Sequence, residues 1–491
     1  MQYIKIHEDD NVVVALEDMD KGTLIGNGVY LQESIGRGHK VAINDIAQGD
    51  LVIKYGYTIG YTTLPIKKGE WVHTHNLQTC LEGSVSYTYH QQLICLPESN
   101  RRLTYQGYLR NNGDVGIRNE LWIVPTVSCV NGIADNIIRL FKEEVSPIYA
   151  EAITAQKHPY GCSQMGKDHD DTVTILRDLV RHPNAGGVLV LGLGCENNTM
   201  DVFKEGLGDY DKQRVKFMVC QDVEDEYQEG VNLLKILHEQ MKDDKREEVP
   251  LSTLKVGLKC GGSDGLSGIT ANPLVGKFSD FLVSQGGTTI LTEVPEMFGA
   301  ETILMNRARN KEIYEKIVSL IQDFKNYYMQ YHQPIYENPS PGNKKGGIST
   351  LEDKSLGCVQ KGGTAMVEDV LKYGERIKIQ GLNLLSAPGN DLVATTALGA
   401  SGCQMVLFTT GRGTPFGGFI PTVKISTNTA LYRKKKHWVD FDAGELMEGK
   451  TLDKMLDAFI TYLIDVASGK LVEHEEQHIR DMAIFKTGVT L

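Results

Sequence analysis

Nothing in this sequence approaches the run of about 18 apolar residues that a membrane helix requires, and nothing in it is strongly basic. The 491 residues carry 51 Lys and Arg against 63 Asp and Glu, a formal charge of -12, which works against a nonspecific grip on a polyanion. Neither a membrane nor nucleic acid is expected as a partner. Cysteine is sparse: nine scattered residues are too few for a disulfide scaffold, and an odd number leaves at least one without an intrachain mate. No CxxC occurs, which counts against an iron–sulfur cluster or a closed structural zinc site. GLGCEN puts Asn197 where a dinucleotide fingerprint needs its last glycine, and CGGSDGLSG lacks the GK[ST] ending of a phosphate loop, so NAD and ATP fall back. The opening MQYIKIHEDDNVVVAL lacks the basic-then-apolar order of a secretion signal. Together with the free-thiol pattern, this points to the cytoplasm.

What is present is the composition of a folded chain, 41% hydrophobic and 23% charged, long enough for two or three domains. Residues 1–80 read as a small β-rich module, with short apolar segments such as NVVVAL and DLVIKYG alternating with GNG, GRGHK and KKGE turns. A polar, mixed stretch over 81–103 reads as a linker. From 104 the pattern becomes strand followed by helix: ELWIVPTV then NGIADNIIRLFKEE, GGVLVLGL then CENNTMDVFKEG, RVKFMVC then a helix through Met241. It resumes with LKVGLKC, GTTILTE, LNLLSA and QMVLFTT. Such repetition predicts a mostly parallel, Rossmann-like sheet with helices on its faces, divided here into 104–250 and 251–491. One helix is expected over 301–331 and a last one near 452–469. Residues 333–355, rich in Pro, Gly, Asn and Lys, read as a functional loop.

In open α/β sheets, ligands sit beyond the C-terminal ends of strands. Those ends carry Cys129, then Cys195, Glu196 and Asn197, then Cys260, Ser263 and Asp264, then Glu293 and Glu296, then Asn390 and Asp391, then Arg412. Glycine beside carboxylates, amides and thiols lets a ligand approach backbone and find polar contacts. In one loop this would be mere turn chemistry; in six it marks a site. Cys129, Cys162, Cys195 and Cys260 are candidate ligands for a soft ion such as ferrous iron or zinc, or else small hydrophobes. GEWVHTHN supplies a second signal. A strand over 71–75 would put His73 and His75 on one face, as metal ligands, as an acid–base group beside a substrate donor, or as a surface pair. His39 is a weaker candidate. Arg118, next to Asn119, and Arg412 are candidate clamps for a carboxylate, or surface charges.

These segments resemble the altronate and galactarate dehydratase family over essentially the whole chain. The resemblance rests on GEWVHTHN, RNNGDVGIRNELWIVPTVSCVNGIA, YGCSQ, LVLGLGCENN, KCGGSDGLSGITANP, LTEVPEMFGAE, ENPSPGNKKGGISTLEDKSLGC, LSAPGND and TGRGTPFGG. It implies an N-terminal β-clip (SAF-like) module followed by an α/β body in two parts. It implies hexuronate breakdown, with D-altronate converted to 2-dehydro-3-deoxy-D-gluconate and water, and a link to Fe2+ or Mn2+. In related lyases the β-clip module is a separate subunit, which implies that His73 and His75 help form a shared site. The motifs do not separate altronate from galactarate.

The chemistry such a dehydration needs is definite. Removing a proton beside an ionised carboxylate loads a second negative charge on the headgroup, which a divalent cation offsets, while a base takes the C2 proton and an acid meets the departing C3 hydroxyl. His73 and His75 are expected at the metal or as acid–base groups. Glu196, Asp264 and Glu293 are expected as ligands or bases, Arg118 and Arg412 as the carboxylate clamp, and Asn119, Asn197, Ser263 and Asn390 as further substrate contacts. A galactarate or sulfolactate lyase is the neighbouring alternative, with an NAD-linked oxidoreductase or a noncatalytic sugar-acid sensor from other classes. A homo-oligomer is expected.

Overall fold

The structure, a computed structural model, describes all residues except 1, 27, 82–84, 93, 95 and 97–101. Much of the linker expected over 81–103 lies outside the described residues. The part that is described is pinned to the body: the Tyr87 hydroxyl donates to Glu301 at 2.5 Å and the Tyr89 hydroxyl to the Ala308 carbonyl at 2.7 Å.

Among its described residues the N-terminal module has seven short strands, β1 (Tyr3–Ile4), β2 (Val12–Ala15), β3 (Lys40–Ala42), β4 (Leu51–Lys54), β5 (Tyr57–Thr62), β6 (Trp71–Val72) and β7 (Leu77–Gln78). They form two antiparallel sheets, ordered β1-β2-β3-β6 and β4-β5-β7. Strand alternation divides the side chains between two cores. Val13 and Val41 pack within the module, whereas Val12, Ala42, Val52, Ile59 and Val72 join the core of the body. Burying each valine or isoleucine contributes about 1.5–3 kcal/mol, so the module is bonded to the body by its own apolar face.

Next come β8 (Thr104–Leu109) and β9 (Val115–Gly116), then β10 (Glu120–Pro125), α1 (Asn131–Glu144), β11 (Ile153–Ala155), α2 (Gly166–Val180), β12 (Ala185–Gly192), α3 (Met200–Leu207), β13 (Val215–Val219) and α4 (Glu226–Met241). The four strands β10 to β13 make a parallel sheet ordered β11-β10-β12-β13. Every residue of β10 is buried, as helices on both faces of a parallel sheet require. Leu121 and Ile123 face α1 and α4, while Trp122 and Val124 face α2 and the C-terminal part. β14 (Glu247–Pro250) returns to pair with β8.

The C-terminal part contains β15 (Lys255–Cys260), α5 (Ala271–Ser284), β16 (Thr288–Leu291), α6 (Glu301–Asn306), α7 (Lys311–Gln330), α8 (Pro341–Lys345), α9 (Leu351–Cys358), β17 (Val367–Leu371), β18 (Gly381–Leu385), α10 (Asp391–Ala400), β19 (Met405–Thr410), β20 (Thr422–Ser426), α11 (Thr429–Lys434), β21 (Phe441–Asp442), α12 (Leu452–Ala467) and α13 (Glu473–Glu476). Its seven parallel strands are ordered β17-β18-β16-β15-β19-β20-β21. The chain starts in the middle at β15, places β16, β17 and β18 on one side, with β18 inserted between β16 and β17, then crosses β15 to build the other, so the reversal falls between β15 and β19.

Two local readings differ from expectation. The helix over 301–331 is broken between α6 and α7, where the Asn310 side chain accepts the Ile313 N–H at 2.9 Å and caps a new helix. The 333–355 segment is not all loop. It contains α8 and opens α9, whose N-cap Thr350 accepts the Asp353 N–H.

Candidate active site

The crevice at the β15/β19 reversal is where polar chemistry concentrates. β15 ends at Cys260, and the GGSDG loop that follows runs against the N-terminal module. A Cβ on Gly265 would stand 1.9 Å from the Gly38 carbonyl oxygen, so the close approach of module and body admits only glycine there. Beyond β16, Glu293 adopts the left-handed conformation (φ 67) and reverses the chain, so that Glu296 comes back toward β15. Glu296 Oε2 lies 3.0 Å from Cys260 Sγ and 3.2 Å from Cys358 Sγ, and the two sulfurs are 3.4 Å apart. These three buried residues form a candidate metal-coordinating cluster.

α9 carries Cys358 into this place and ties the module to it. All eight of its residues are buried although three of the first four are charged, and each charge has its own partner. Glu352 accepts from the Thr79 hydroxyl and the Cys80 N–H at 2.9 and 2.7 Å. Asp353 pairs with Lys40 at 2.7 Å and Lys54 at 2.9 Å, both from the module. Lys354 donates to Glu296 Oε1 at 2.7 Å and to Asn338 at 3.0 Å. Lys259 lies 3.1 Å from Glu293 and 2.7 Å from Asp391.

The charges follow from burial and neighbours. Burial alone would raise Glu296, but Lys354 and Lys361 outweigh it and bring the carboxyl down to about 2. The Cys358 S–H is the chief cause of a Cys260 thiol lowered to about 6, with Lys361 and Lys354 assisting against burial, and the same contact pushes Cys358 up. The contact thus drives the proton affinities of the two thiols apart. Burial, reinforced by Cys260, raises Glu293. Burial also raises Asp264, whose carboxylate accepts from Thr427, Ser267 and the Leu266 N–H.

Of the residues singled out in sequence, Cys260, Ser263, Asp264, Glu293, Asn390 and Arg412 come together at this strand edge. Ser263 is 1% exposed and its hydroxyl has no partner. Asn390 caps α10, accepting the Leu392 and Val393 N–H groups at 3.1 Å. Arg412 is exposed, its side-chain stem 3.3 Å from where a Gly262 Cβ would lie.

His73 and His75 take a different local form from the strand expected. Only Trp71–Val72 is strand; Asn76 Oδ1 accepts the His73 N–H at 2.9 Å and turns the chain. Both rings flank Trp71, at 5.0 and 5.1 Å, but neither belongs to the three-residue cluster. His73 Nδ1 meets the Ser349 hydroxyl at 2.9 Å, four residues before Asp353, and burial, with Lys40 and His39 adding, lowers its pKa to about 3. His39 accepts the Trp71 indole N–H at 3.1 Å, and its other nitrogen lies 3.3 Å from the Lys345 carbonyl.

The clamp expected of Arg118 is corrected by its surroundings. Arg118 is 1% exposed, and its guanidinium is spent on both oxygens of Glu475, at 2.9 and 2.7 Å, and on the Ile117, Val466 and Lys470 carbonyls. Asn119 accepts from Arg110 at 3.0 Å. Both precede β10, at the end of the sheet opposite Cys129. Cys129, Cys162, Cys195, Glu196 and Asn197 lie at the C-terminal edge of the four-stranded sheet, where Glu196 accepts Thr126 Oγ1 at 2.7 Å and the Gly194 N–H at 2.6 Å. Sequence reading missed Cys358, Lys354, Lys361 and the Lys40–Asp353–Lys54 bridge. The one available signal was Thr350 three residues before Asp353, a helix start inside a stretch taken for loop.

A β module clamped to the strand ends of a parallel sheet, over a buried thiol–carboxylate cluster, defines an α/β enzyme able to hold a metal. Three family descriptions match in chain order: the altronate/galactarate dehydratase SAF domain over residues 1–80, the D-galactarate dehydratase/altronate hydrolase second domain over 107–242, and the D-galactarate/altronate dehydratase C-terminal domain over 251–490. Similar proteins include altronate dehydratase of Bacillus subtilis (strain 168), 58% identical with 100% of this chain and 99% of the relative covered. Altronate dehydratase of Escherichia coli (strain K12) is 56% identical, with both chains covered completely. Galactarate dehydratase (L-threo-forming) of the same strain is 33% identical, over 97% of this chain and 94% of the relative. The chain belongs to the D-galactarate/altronate dehydratase family.

Proposed function

We propose that this chain is an altronate dehydratase, a hydro-lyase that takes the C2 proton and the C3 hydroxyl from D-altronate to give 2-dehydro-3-deoxy-D-gluconate. The observation that carries the reading is the Cys260–Glu296–Cys358 cluster at the sheet's reversal point, in a chain 58% and 56% identical to altronate dehydratases and 33% identical to a galactarate dehydratase.

The donor set fits a soft divalent ion. Two metal–sulfur bonds of about 2.3 Å at a tetrahedral angle separate the sulfurs by about 3.8 Å, close to the 3.4 Å observed. Lys354 holds Glu296 Oε1, which leaves Oε2 turned to the sulfurs. Thiolate donors favour ferrous iron over manganese. Bound there, the ion supplies Lewis-acid polarisation of the substrate carboxylate.

The protein's own groups do the rest. Lys354 and Lys361, kept protonated by Glu296 and the thiols, place positive charge where the second negative charge develops. Asp264, raised by burial, serves as the base, and the unpartnered Ser263 hydroxyl binds the substrate. The void lined by Ser263, Asp264, Lys354 and Cys358 is about 10 Å³, room for one water, whereas the neighbouring cleft lined by His39, Trp71, His73, Lys344 and Lys345 is about 300 Å³. Substrate entry therefore displaces the segment between them, 341–350. The eight described cysteines are unbridged, which supports a reducing, cytoplasmic setting.

The test is turnover of D-altronate and galactarate after anaerobic metal removal and separate restoration with iron, manganese, zinc or magnesium. A 2-keto product from altronate, restored best by iron, is the expected result. Undiminished turnover by the stripped enzyme, or a preference for galactarate, overturns it.

A further inference from the structure

The four-stranded sheet has its own reversal point, and the function proposed above does not use it. The chain enters at β10, adds β11 on one side, then crosses to β12 on the other, so the crevice lies beyond the C-terminal ends of β10 and β12. Cys129 follows β10, Cys195 follows β12 and Cys162 follows β11. All three are exposed and unbridged. Though distant in sequence, their loops are joined directly. The Ser128 N–H donates to the Tyr160 carbonyl at 2.8 Å, Asn198 Nδ2 to the Thr126 carbonyl at 3.4 Å, and the Ser163 N–H to Asn197 Oδ1 at 3.4 Å. Each cysteine is thus within three residues of a bond to another cysteine's loop.

A second observation points to a ligand here. Gln164 and Asn198, 3% and 0% exposed, are each held at one end, Gln164 by the Gly161 N–H and Asn198 by Thr126, while Gln164 Nε2 and Asn198 Oδ1 stay buried without a partner. Asn131 repeats the pattern: its Nδ2 is bonded to the His158 carbonyl and its Oδ1 is unpartnered. An unmet buried polar atom costs about 1–3 kcal/mol, and here one stands two or three residues after each cysteine.

Three thiols beside polar groups are ligands for a thiophilic metal centre. Among the described residues, the only set of three metal-binding side chains whose donor atoms all lie within 4.8 Å of one another is Cys260, Glu296 and Cys358. Cys129, Cys162 and Cys195 do not all meet that limit, so a single ion would not reach all three thiols as they stand. We propose that Cys129, Cys162 and Cys195 hold an iron–sulfur cluster, separate from the Cys260 centre, with one iron left without a protein ligand and Gln164 Nε2 donating to a cluster sulfide. The lack of CxxC counts against a cluster held by one loop, whereas here three loops of one sheet edge supply the thiols.

The full chain is purified anaerobically, incubated with iron, sulfide and a thiol reductant, desalted, and assayed for iron, acid-labile sulfide and sulfide-to-iron charge-transfer absorption. About four iron and four sulfide per chain are expected. Cys129→Ser, Cys162→Ser and Cys195→Ser each lose most of both, with circular dichroism and thermal melting unchanged, while Cys80→Ser retains them. Retention in all three variants, iron bound without labile sulfide, or no iron bound by the wild-type chain overturns the proposal. The readout involves no turnover, so it stands or falls apart from the choice of D-altronate.

Discussion

The two parallel sheets of this protein end in opposite ways. At the four-stranded sheet's edge Cys129, Cys162 and Cys195 are open to solvent, and the neighbouring Glu196 is engaged by Thr126 and backbone N–H groups. At the seven-stranded sheet's edge Cys260 and Cys358 are buried among lysines and carboxylates. The topology is the same, with a reversal in strand order flanked by glycine-rich loops. The N-terminal module makes the difference. It docks on the second edge alone and takes its charges out of water, where each has to be paired or hydrogen-bonded. The covered edge can hold strong electrostatic interactions; the open one offers ligands without them.

The largest effect that would break this contrast is at Glu296. Glu296→Gln removes the charge between Lys354 and the two thiols and is expected to lower kcat/KM for D-altronate by about 10³-fold, measured beside Glu196→Gln, which should cost far less. Next, Asp353→Asn leaves Lys40 and Lys54 without their shared carboxylate inside the interface. Breaking a buried pair costs about 3–5 kcal/mol, and denaturant unfolding should show the loss, with a separate early transition for the module. Arg118→Met breaks the bidentate pair with Glu475 at a similar or somewhat smaller cost in stability, with KM for the substrate retained; a raised KM would restore Arg118 as a clamp.

Acid dependence sharpens the contrast further. Glu296 is lowered to about 2, so its contribution to stability is complete above the unfolded carboxyl value, about 4.3, and is lost as pH falls toward 2. His73, lowered to about 3, is kept neutral when folded and takes up a proton when unfolded below about pH 6.5. Stability therefore falls with pH from about 6.5 downward, and His73→Gln should flatten the melting-temperature profile between pH 6.5 and 4. The smallest effect is at His75, which is exposed. His75→Ala should shift stability by no more than about 0.5 kcal/mol and leave turnover unchanged.

Strands buried on both faces were readable because they are runs of apolar, mostly branched residues: Leu121–Val124, Val188–Leu191, Met405–Phe408. Strand-end polar residues were readable because glycine and asparagine interrupt those runs. The strand expected over residues 71–75 stops after Val72 because one side-chain bond, from the His73 N–H to Asn76, turns the chain. α9 was hidden because its helical face is charged, and a buried charged helix has no apolar stripe to betray it. Arg118 looked like a ligand-binding arginine because its partner, Glu475, stands far along the chain.

The sequence by itself determined the class of sheet, the order of strand and helix, and the loops in which chemistry gathers, because hydrophobic period and turn residues act over a few positions. Only the tertiary structure decided which of those residues are active together. Cys260 meets Cys358 and Glu296, and Lys40 meets Asp353, through contacts between segments tens to hundreds of residues apart. Burial then sets the protonation of each, and burial belongs to the packed molecule as a whole.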